Sequence, residues 1–457
     1  MDVVVIGGGL SGLVAAHRLM QTGVQSLLVL EAKDRVGGRT LNEPSTGAPA
    51  THVESGGQWV GPTQSRVLAL ARELGVGTFK THHRGRHVML LNGQRRTHRL
   101  PLPLSPWGPS MDFAKAAAKL QWAAWRVNRD APWTSRQARQ LDGMSLREWV
   151  SQNTQTAEAR ALFDVVSGLT LGGDPADLSL LGVLQHLQSA GGLAALISVH
   201  GGAQDSRFVG GAQELSLRLA KALGPRLRTQ SPVTRIQWAD DMAMIHSASG
   251  VVRARQVIVA MSPPDLQRIE FNPPLPPPQQ AWGQRMSMFK GLKINVVYKR
   301  PFWRDQGLSG QALSDVGPAP VTFDNSPHDS PLGVLVTFVS GKVGDSSVAP
   351  TEHQLANPEA RKASVIDCLV RYFGEEARAP LDYIEKDWRQ EDHSAGCIPT
   401  LPPGLLTDVG PFLKPRTGPL IWAGTESSHI WSGYMDGAVR AGEQAARAIT
   451  RQTPSRD

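Results

Sequence analysis

The sequence is short of cysteine, of long apolar runs and of clustered charge, and each shortage removes a class of protein. Only two cysteines occur in 457 residues, Cys368 and Cys397. That is too few for a disulfide framework, and it fits a reducing compartment. No apolar run approaches the roughly 18 residues that a membrane-spanning helix needs. No basic segment followed by an apolar one precedes the first strand, so a secretory leader is not expected. The tail, 451–457, is polar. The formal charge of +8 would suit nucleic acid or anionic lipid if it were gathered on one face. It is scattered, with local clusters only at 84–87 and 95–99, so it reads as solvated surface charge. Internal repeats are absent. What remains is a cytoplasmic globular protein without a nucleic-acid partner, long enough for two domains with sizeable cores.

What is present begins at the N-terminus. Residues 1–6 are a β-branched run, followed at once by Gly7-Gly8-Gly9-Leu10-Ser11-Gly12. Residues 13–20 read as a helix and 26–30 as a second strand ending on Glu31. Gly7, Gly9 and Gly12 fit G-x-G-x-x-G, and Glu31 follows the last glycine by about 20 residues. The first glycine permits the tight turn, the second admits a pyrophosphate, and the third lets helix and strand approach closely. The helix N-terminus offers amide donors to the phosphate, and the acid can accept both hydroxyls of a ribose. A glycine-rich turn alone is only a turn; with strand, helix and acid in place it predicts a dinucleotide with a free 2′-OH. Arg35-Val36-Gly37-Gly38-Arg39 adds a second approach to the diphosphate, similar to the segment of FAD enzymes, and favours FAD over NAD.

Along the rest of the chain, 54–62 is a glycine-rich loop beside Trp59 and 65–74 a helix. Segments 87–91 and 94–100 flank Asn92-Gly93, a two-residue hairpin signal. A proline-rich loop, 101–109, leaves the first domain. The spacing of Phe113, Ala117, Leu120, Ala124 and Val127 predicts a helix over 111–127, with Trp122 and Trp125 expected in the core. Further helices are expected at 145–151, 156–171, 177–188 and 213–223. Strands at 233–238 and 251–260 return to the first domain, 273–278 is a linker, and 292–298 and 334–339 are strands of the second. Cys368 falls on the apolar side of a helix over 362–372. Near the end, strand 419–423 leads through Gly424-Thr425-Glu426 to a helix over 434–449. Alanines 438, 441, 445 and 448 make that helix narrow on one face.

These motifs resemble the flavin-dependent amine oxidases over nearly the whole chain, and most closely the monoamine oxidases. The carrying segments are 4–12, 31–40, 54–64, 208–211, FNPPLP at 271–276, KINVVYKRPFW at 293–303, Gly396-Cys397 and AGTESSHIWSGYMDGAVRAGEQAA at 423–446. The resemblance implies an α/β fold with a Rossmann-like FAD domain (1–79, 208–285 and 390–450) and a mixed-sheet-plus-helices substrate domain (80–207 and 286–389). It makes Lys293 the residue that holds a water at flavin N5, Cys397 the covalent attachment to the flavin 8α carbon, and Tyr434 one wall of an aromatic cage. The other wall is Ile398 here, not an aromatic, which puts substrate preference in doubt. Leu171, Gln204 and Phe338 would line the rest of the cavity, and Trp388 would lie near the isoalloxazine. The FAD contacts implied are Gly7, Gly9, Ser11, Gly12, Glu31, Ala32, Arg39, Gly57, Gln58, Trp59, Val233, Trp388, Cys397, Gly424, Thr425, Glu426, Gly433 and Met435, with no metal. The expected reaction passes the α-hydrogen of an amine, a primary monoamine, to the flavin, with O2 as oxidant. An L-amino-acid oxidase, a polyamine oxidase, a dehydrogenase with another acceptor and a silent FAD-binding protein stay open, as does a homodimer. The apolar C-terminal anchor of mitochondrial relatives is missing.

Overall fold

A computed structural model describes residues 1–49, 51–91, 93–99, 108–340, 356–394 and 396–451. Val3–Ile6 is buried throughout and pairs in parallel with Leu27–Leu30 on one side and Gln256–Val259 on the other. Leu227–Arg228 and Leu420–Trp422 extend the sheet in the same sense, and Arg416–Thr417 closes one edge as an antiparallel strand. The central strands are unbroken runs of Val, Ile and Leu because both faces are covered. Alternate side chains go to different cores. Val3, Val5, Leu27 and Val29 meet the helices, whereas Val4, Ile6, Leu28 and Leu30 meet a four-stranded sheet through Ile236 and Ile245. Helices Leu10–Gln21 and Met435–Thr450 lie against each other closely enough that a Cβ on Gly442 would stand 2.3 Å from the Ser11 carbonyl oxygen.

The second sheet has seven strands, in the order Asp382–Asp387, Gly291–Tyr298, Gly333–Ser340, Val321–Asp324, Leu308–Ser314, Arg86–Leu91 and Gln94–His98. Gly291–Tyr298, second from the edge, is buried along its whole length. Leu292, Ile294 and Val296 pack against Val365, Leu369 and Tyr372 of helix Pro358–Phe373. The intervening Lys293 and Asn295 therefore point the other way, toward residues that follow His52–Glu54. A helical body with its own core, including Phe113, Leu120, Leu162, Leu184 and Trp431, completes the chain.

Several sequence expectations shift. The first helix starts at Leu10, not residue 13, so Gly12 is helical; a Cβ there would lie 2.1 Å from the Gly7 oxygen. The stretch 251–260 is two strands in two sheets, Gly250–Ala254 and Gln256–Val259. The linker 273–278 gives way to helix Pro277–Arg285, which a proline can open because its missing N–H is unneeded there. The hairpin pairs Leu91 with Gln94, but Asn92 lies outside the described residues, as do 101–107 of the proline-rich loop and 452–457 of the tail. Helix Gly108–Ala124 begins inside that loop's expected span. Trp122 and Trp125 are not core: they are 56% and 66% exposed, because the buried stripe runs through Phe113, Ala116, Leu120 and Ala124 instead. Leu308–Ser314, Val321–Asp324 and Asp382–Asp387 were not anticipated as strands.

Candidate active site

The nucleotide end is built at the C-terminal edge of the parallel sheet. Glu31 is buried at the tip of its strand, accepting the Gly8 N–H at 2.5 Å and the Lys33 N–H at 2.9 Å. Its carboxylate therefore fixes the glycine turn, with half-buried Ala32 directly after it. Gly7 needs φ +105°, and a Cβ would lie 2.6 Å from the Ala260 oxygen. Val233 opens a strand of the four-stranded sheet and shares a core with Leu30. The helix from Leu10 starts at Gly9 with no side chain capping it, which leaves its N–H groups and positive end for an anion. The Ser11 hydroxyl donates to the Ala423 carbonyl. The Gly37 N–H donates to Gly8 at 3.0 Å, bringing the 35–39 segment over this turn.

From there the contacts run continuously to the second sheet. Arg39 pairs with Glu426 at 2.8 Å and donates to the Cys397 carbonyl at 2.9 Å. The Gly57 N–H returns to the Arg39 carbonyl at 3.0 Å. Lys293 Nζ donates to the Gly56 carbonyl at 2.7 Å and to Gln58 Oε1. Trp388 donates to the Ser55 carbonyl at 2.8 Å. Gly424 starts the turn in which the Thr425 hydroxyl holds the Tyr434 carbonyl at 2.8 Å. Gly433, at φ +82°, and Tyr434 lead into Met435, the first residue of the final helix, which also lacks a side-chain cap.

The proposed substrate lining falls into a Phe338 group beside Lys293, an Ile398 group beside Tyr434, and Gln204 on its own. Phe338 is the cross-strand partner of Lys293 and lies 6.0 Å from Trp59, centroid to centroid. Ile398 reaches both Gly172, next to Leu171, and Gly433, next to Tyr434. The Tyr434 ring meets Trp431 edge-on at 5.0 Å. Gln204 donates to the Leu196 carbonyl at 2.9 Å, and its buried Oε1 has no hydrogen-bond partner among the described residues.

Burial dominates the electrostatics. It lowers the Lys293 ammonium to about 7, with Glu54 opposing and Arg207 reinforcing the change. It pushes the Cys397 thiol up, although Arg39 and Lys293 draw it back; the residue is exposed by surface area, yet protein surrounds it closely enough for desolvation to prevail. It raises the Tyr434 phenol.

Four features went unseen in the sequence. Arg207 and Glu54 form a buried ion pair at 2.7 Å. Asn295 and Asn325 join Gln58 in a buried amide chain. His186 stands 5.9 Å from the Tyr434 ring, its imidazole lowered by burial to about 4. Glu391 gathers Lys33, Lys386 and Arg35 within 2.6 Å; burial would raise its carboxyl, but their hydrogen bonds hold it at about 2. Only Asn295 left a signal, since it lies two residues from Lys293 on one strand and so shares its face.

The residues fit a flavin dinucleotide. The uncapped helix at Gly9 suits the diphosphate, and a Cβ on Gly9 would meet nothing nearer than 4.0 Å. Trp59 Nε1 and Ser55 Oγ are buried without hydrogen-bond partners among the described residues, near Lys293. A dinucleotide cradle on a parallel sheet, joined by direct contacts to a buried lysine on a mixed sheet, defines a two-part oxidoreductase. The chain belongs to the flavin-containing amine oxidoreductases, whose family model matches residues 10–450. It is 39% identical over 454 residues to AofH of Mycobacterium tuberculosis, assigned as a flavin-containing monoamine oxidase, covering 98% of this chain and 96% of that protein. Putrescine oxidase bound to putrescine matches with a TM-score of 0.91 and 31% identity over 99% of both chains. Cyclohexylamine oxidase from Brevibacterium oxydans matches with 0.91 and 32%, again over 99% of both. The protein is thus an enzyme that acts on a small-molecule amine with a flavin cofactor and O2. Among the described residues no helix is long and apolar enough to cross a membrane.

Proposed function

We propose that the protein oxidatively deaminates a primary monoamine, using FAD attached through Cys397. The observation that carries this reading is the buried Lys293, joined through Gly56 and Gln58 to the loop that also contacts Arg39, and facing Phe338 on its own sheet. A bound flavin would supply a two-electron acceptor for the amine's α-hydrogen and a donor to O2, the overall products being aldehyde, ammonia and H2O2 from amine, O2 and water.

The chain's own residues supply the setting. Tyr434, Ile398, Leu171 and Phe338 offer an apolar lining that favours the neutral amine over its ammonium. Tyr434 is held in place by Trp431 and by Thr425. Gln204 offers its unpartnered Oε1 to an N–H of the amine. Lys293 is a desolvated cation that stabilises reduced oxygen species, and with its ammonium at about 7 it also exchanges a proton near neutrality. The positive end of helix Met435–Thr450 favours the anionic edge of a reduced ring. Glu31, at the tip of its strand, would accept ribose hydroxyls in addition to the Gly8 and Lys33 N–H groups.

None of the proposed lining residues is a carboxylate, which supports a monoamine over a diamine carrying a distal ammonium. The same reading divides the chain into 1–79, 208–285 and 390–450 around the FAD and 80–207 with 286–389 around the amine, supported by the membership of the two large sheets. It also carries a cytoplasmic location, which the two free thiols support. Anaerobic titration of the yellow protein with aryl amines, alkyl amines, putrescine and L-amino acids tests it. Bleaching by monoamines, with peroxide on admission of air, is expected; bleaching only by putrescine or by amino acids would replace the substrate, and none at all would refute the reading.

A further inference from the structure

Lys293 sits at the end of a file of buried amides. Its Nζ donates to Gln58 Oε1; Gln58 Nε2 donates to Asn325 Oδ1 at 2.7 Å; Asn325 Nδ2 donates to Asn295 Oδ1 at 2.8 Å; and Asn295 Nδ2 donates to the Glu54 carbonyl at 3.2 Å. Gln58, Asn325 and Asn295 are each no more than 2% exposed. An ammonium can only donate and a carbonyl can only accept, so the two ends fix the sense of every amide between them. Each presents its oxygen toward Lys293 and its nitrogen away. Three aligned dipoles thus direct their negative ends at one buried cation, and aligned hydrogen bonds strengthen one another.

The other groups facing Lys293 do not duplicate this effect. Glu54 acts on it as an anion but is paired with Arg207, which opposes it. Cys397 is a thiol pushed upward by burial. Lys386, opposite on the edge strand, is neutralised by Glu391 at 2.5 Å. Trp59 and Phe338 lie 5.8 and 5.9 Å away and offer only ring faces. The amide file is also rigid at its middle: the Asn325 N–H donates to the Val334 carbonyl at 2.7 Å, and its own carbonyl accepts from Arg207 at 2.7 Å.

We propose that Gln58, Asn325 and Asn295 are positioning residues whose oriented amides hold Lys293 as a proton-bearing donor beside the flavin and so set the pH range over which it acts. Two of the three ammonium N–H groups are engaged by Gly56 and Gln58, and the third, which has no acceptor among the described residues, is left for the reaction. The inference rests on the proposed role of Lys293 but not on the identity of the amine.

Asn325 is the residue to change, because it touches neither Lys293 nor the substrate lining. Asn325→Leu keeps its size and removes the dipole; Asn325→Asp keeps its shape and adds negative charge. The first readout is the visible absorption of the bound oxidised flavin as a function of pH, which follows the charge of the nearby cation. The second is the pH dependence of reoxidation of the reduced enzyme by O2. With Asn325→Leu the inflection should move down by about one pH unit, and with Asn325→Asp it should move up. Profiles that superimpose on the wild type in whichever variant folds and binds flavin would overturn the proposal. If no amine reduces the flavin, the oxidase reading fails, and the spectral titration still decides the amide file.

Discussion

Arg207→Met asks whether the seam between the two sheets is held by charge. Arg207 and Glu54 are 6% and 1% exposed. Nε and Nη2 lie 2.8 and 2.7 Å from one carboxylate oxygen of Glu54, and the other oxygen accepts the Ala212 N–H at 2.8 Å. Nη1 reaches the carbonyls of Asn325 at 2.7 Å and Ser326 at 3.2 Å, so a single side chain ties a loop of the nucleotide part to the sheet bearing Lys293. Methionine fills the stem but leaves a buried carboxylate with one backbone donor. Breaking a buried pair in this way costs about 3–5 kcal/mol. The two stranded carbonyls are worth about 1–3 kcal/mol in their own right, part of which water entering the gap restores. A net loss of about 4 kcal/mol is expected, read from urea unfolding of the flavin-loaded protein by tryptophan fluorescence. Arg207→Met/Glu54→Leu, which removes both charges, should lie within about 2 kcal/mol of the wild type. A single variant that loses less than about 1 kcal/mol would show that the pair behaves like an exposed one and would refute the reasoning.

Three further outcomes follow from the site. Lys293 falls from its ordinary 10.5 to about 7 in the folded protein, so between those values the unfolded chain binds the extra proton and stability rises with pH. Lys293→Met should therefore gain most, relative to the wild type, at and below pH 7, with the difference fading toward pH 10; a difference constant with pH would count against a desolvated lysine. His186 falls from 6.5 to about 4, so its contribution is complete above pH 6.5 and is lost as acid passes through pH 4; His186→Phe should lose less stability between pH 7 and 4.5, and equal losses would refute this. Cys397→Ser should release its flavin into the supernatant on acid precipitation while the wild type keeps colour in the pellet; identical partitioning of the two would end the case for attachment.

The sequence was most legible where chemistry and local geometry coincide. Glycines 7, 9 and 12 and Glu31 are meaningful by spacing alone, and the turn they predict is the one found. The strand expected at 292–298 is found as Gly291–Tyr298, and Lys293 and Leu292 fall on opposite faces of it. The spacing along 111–127 predicts the buried stripe, whereas residue type alone points Trp122 and Trp125 into the core and their helical phase turns them out of it. Strand Leu308–Ser314 escaped because its residues, with Gly310 and Gln311, carry neither an apolar run nor a clean alternation. The amide file as a unit is not legible: Gln58 and Asn325 are 267 positions apart and Asn325 and Asn295 are 30 apart, and no single-sequence pattern couples them.

The parallel sheet has a consequence for biosynthesis. Its strands come from 3–6, 27–30, 227–228, 256–259 and 420–422. A ribosome thus delivers the first strand with one hydrogen-bonding flank waiting for a neighbour some 250 residues later, and that neighbour in turn waits about 160 residues more for Leu420–Trp422. Non-local pairings of this kind are slow to close and leave apolar surface uncovered meanwhile. Loss of the last forty residues would strip both the strand Leu420–Trp422 and the helix that seats Gly442 on Ser11. A truncation placed before residue 420 should accordingly give an insoluble product, not a trimmed enzyme.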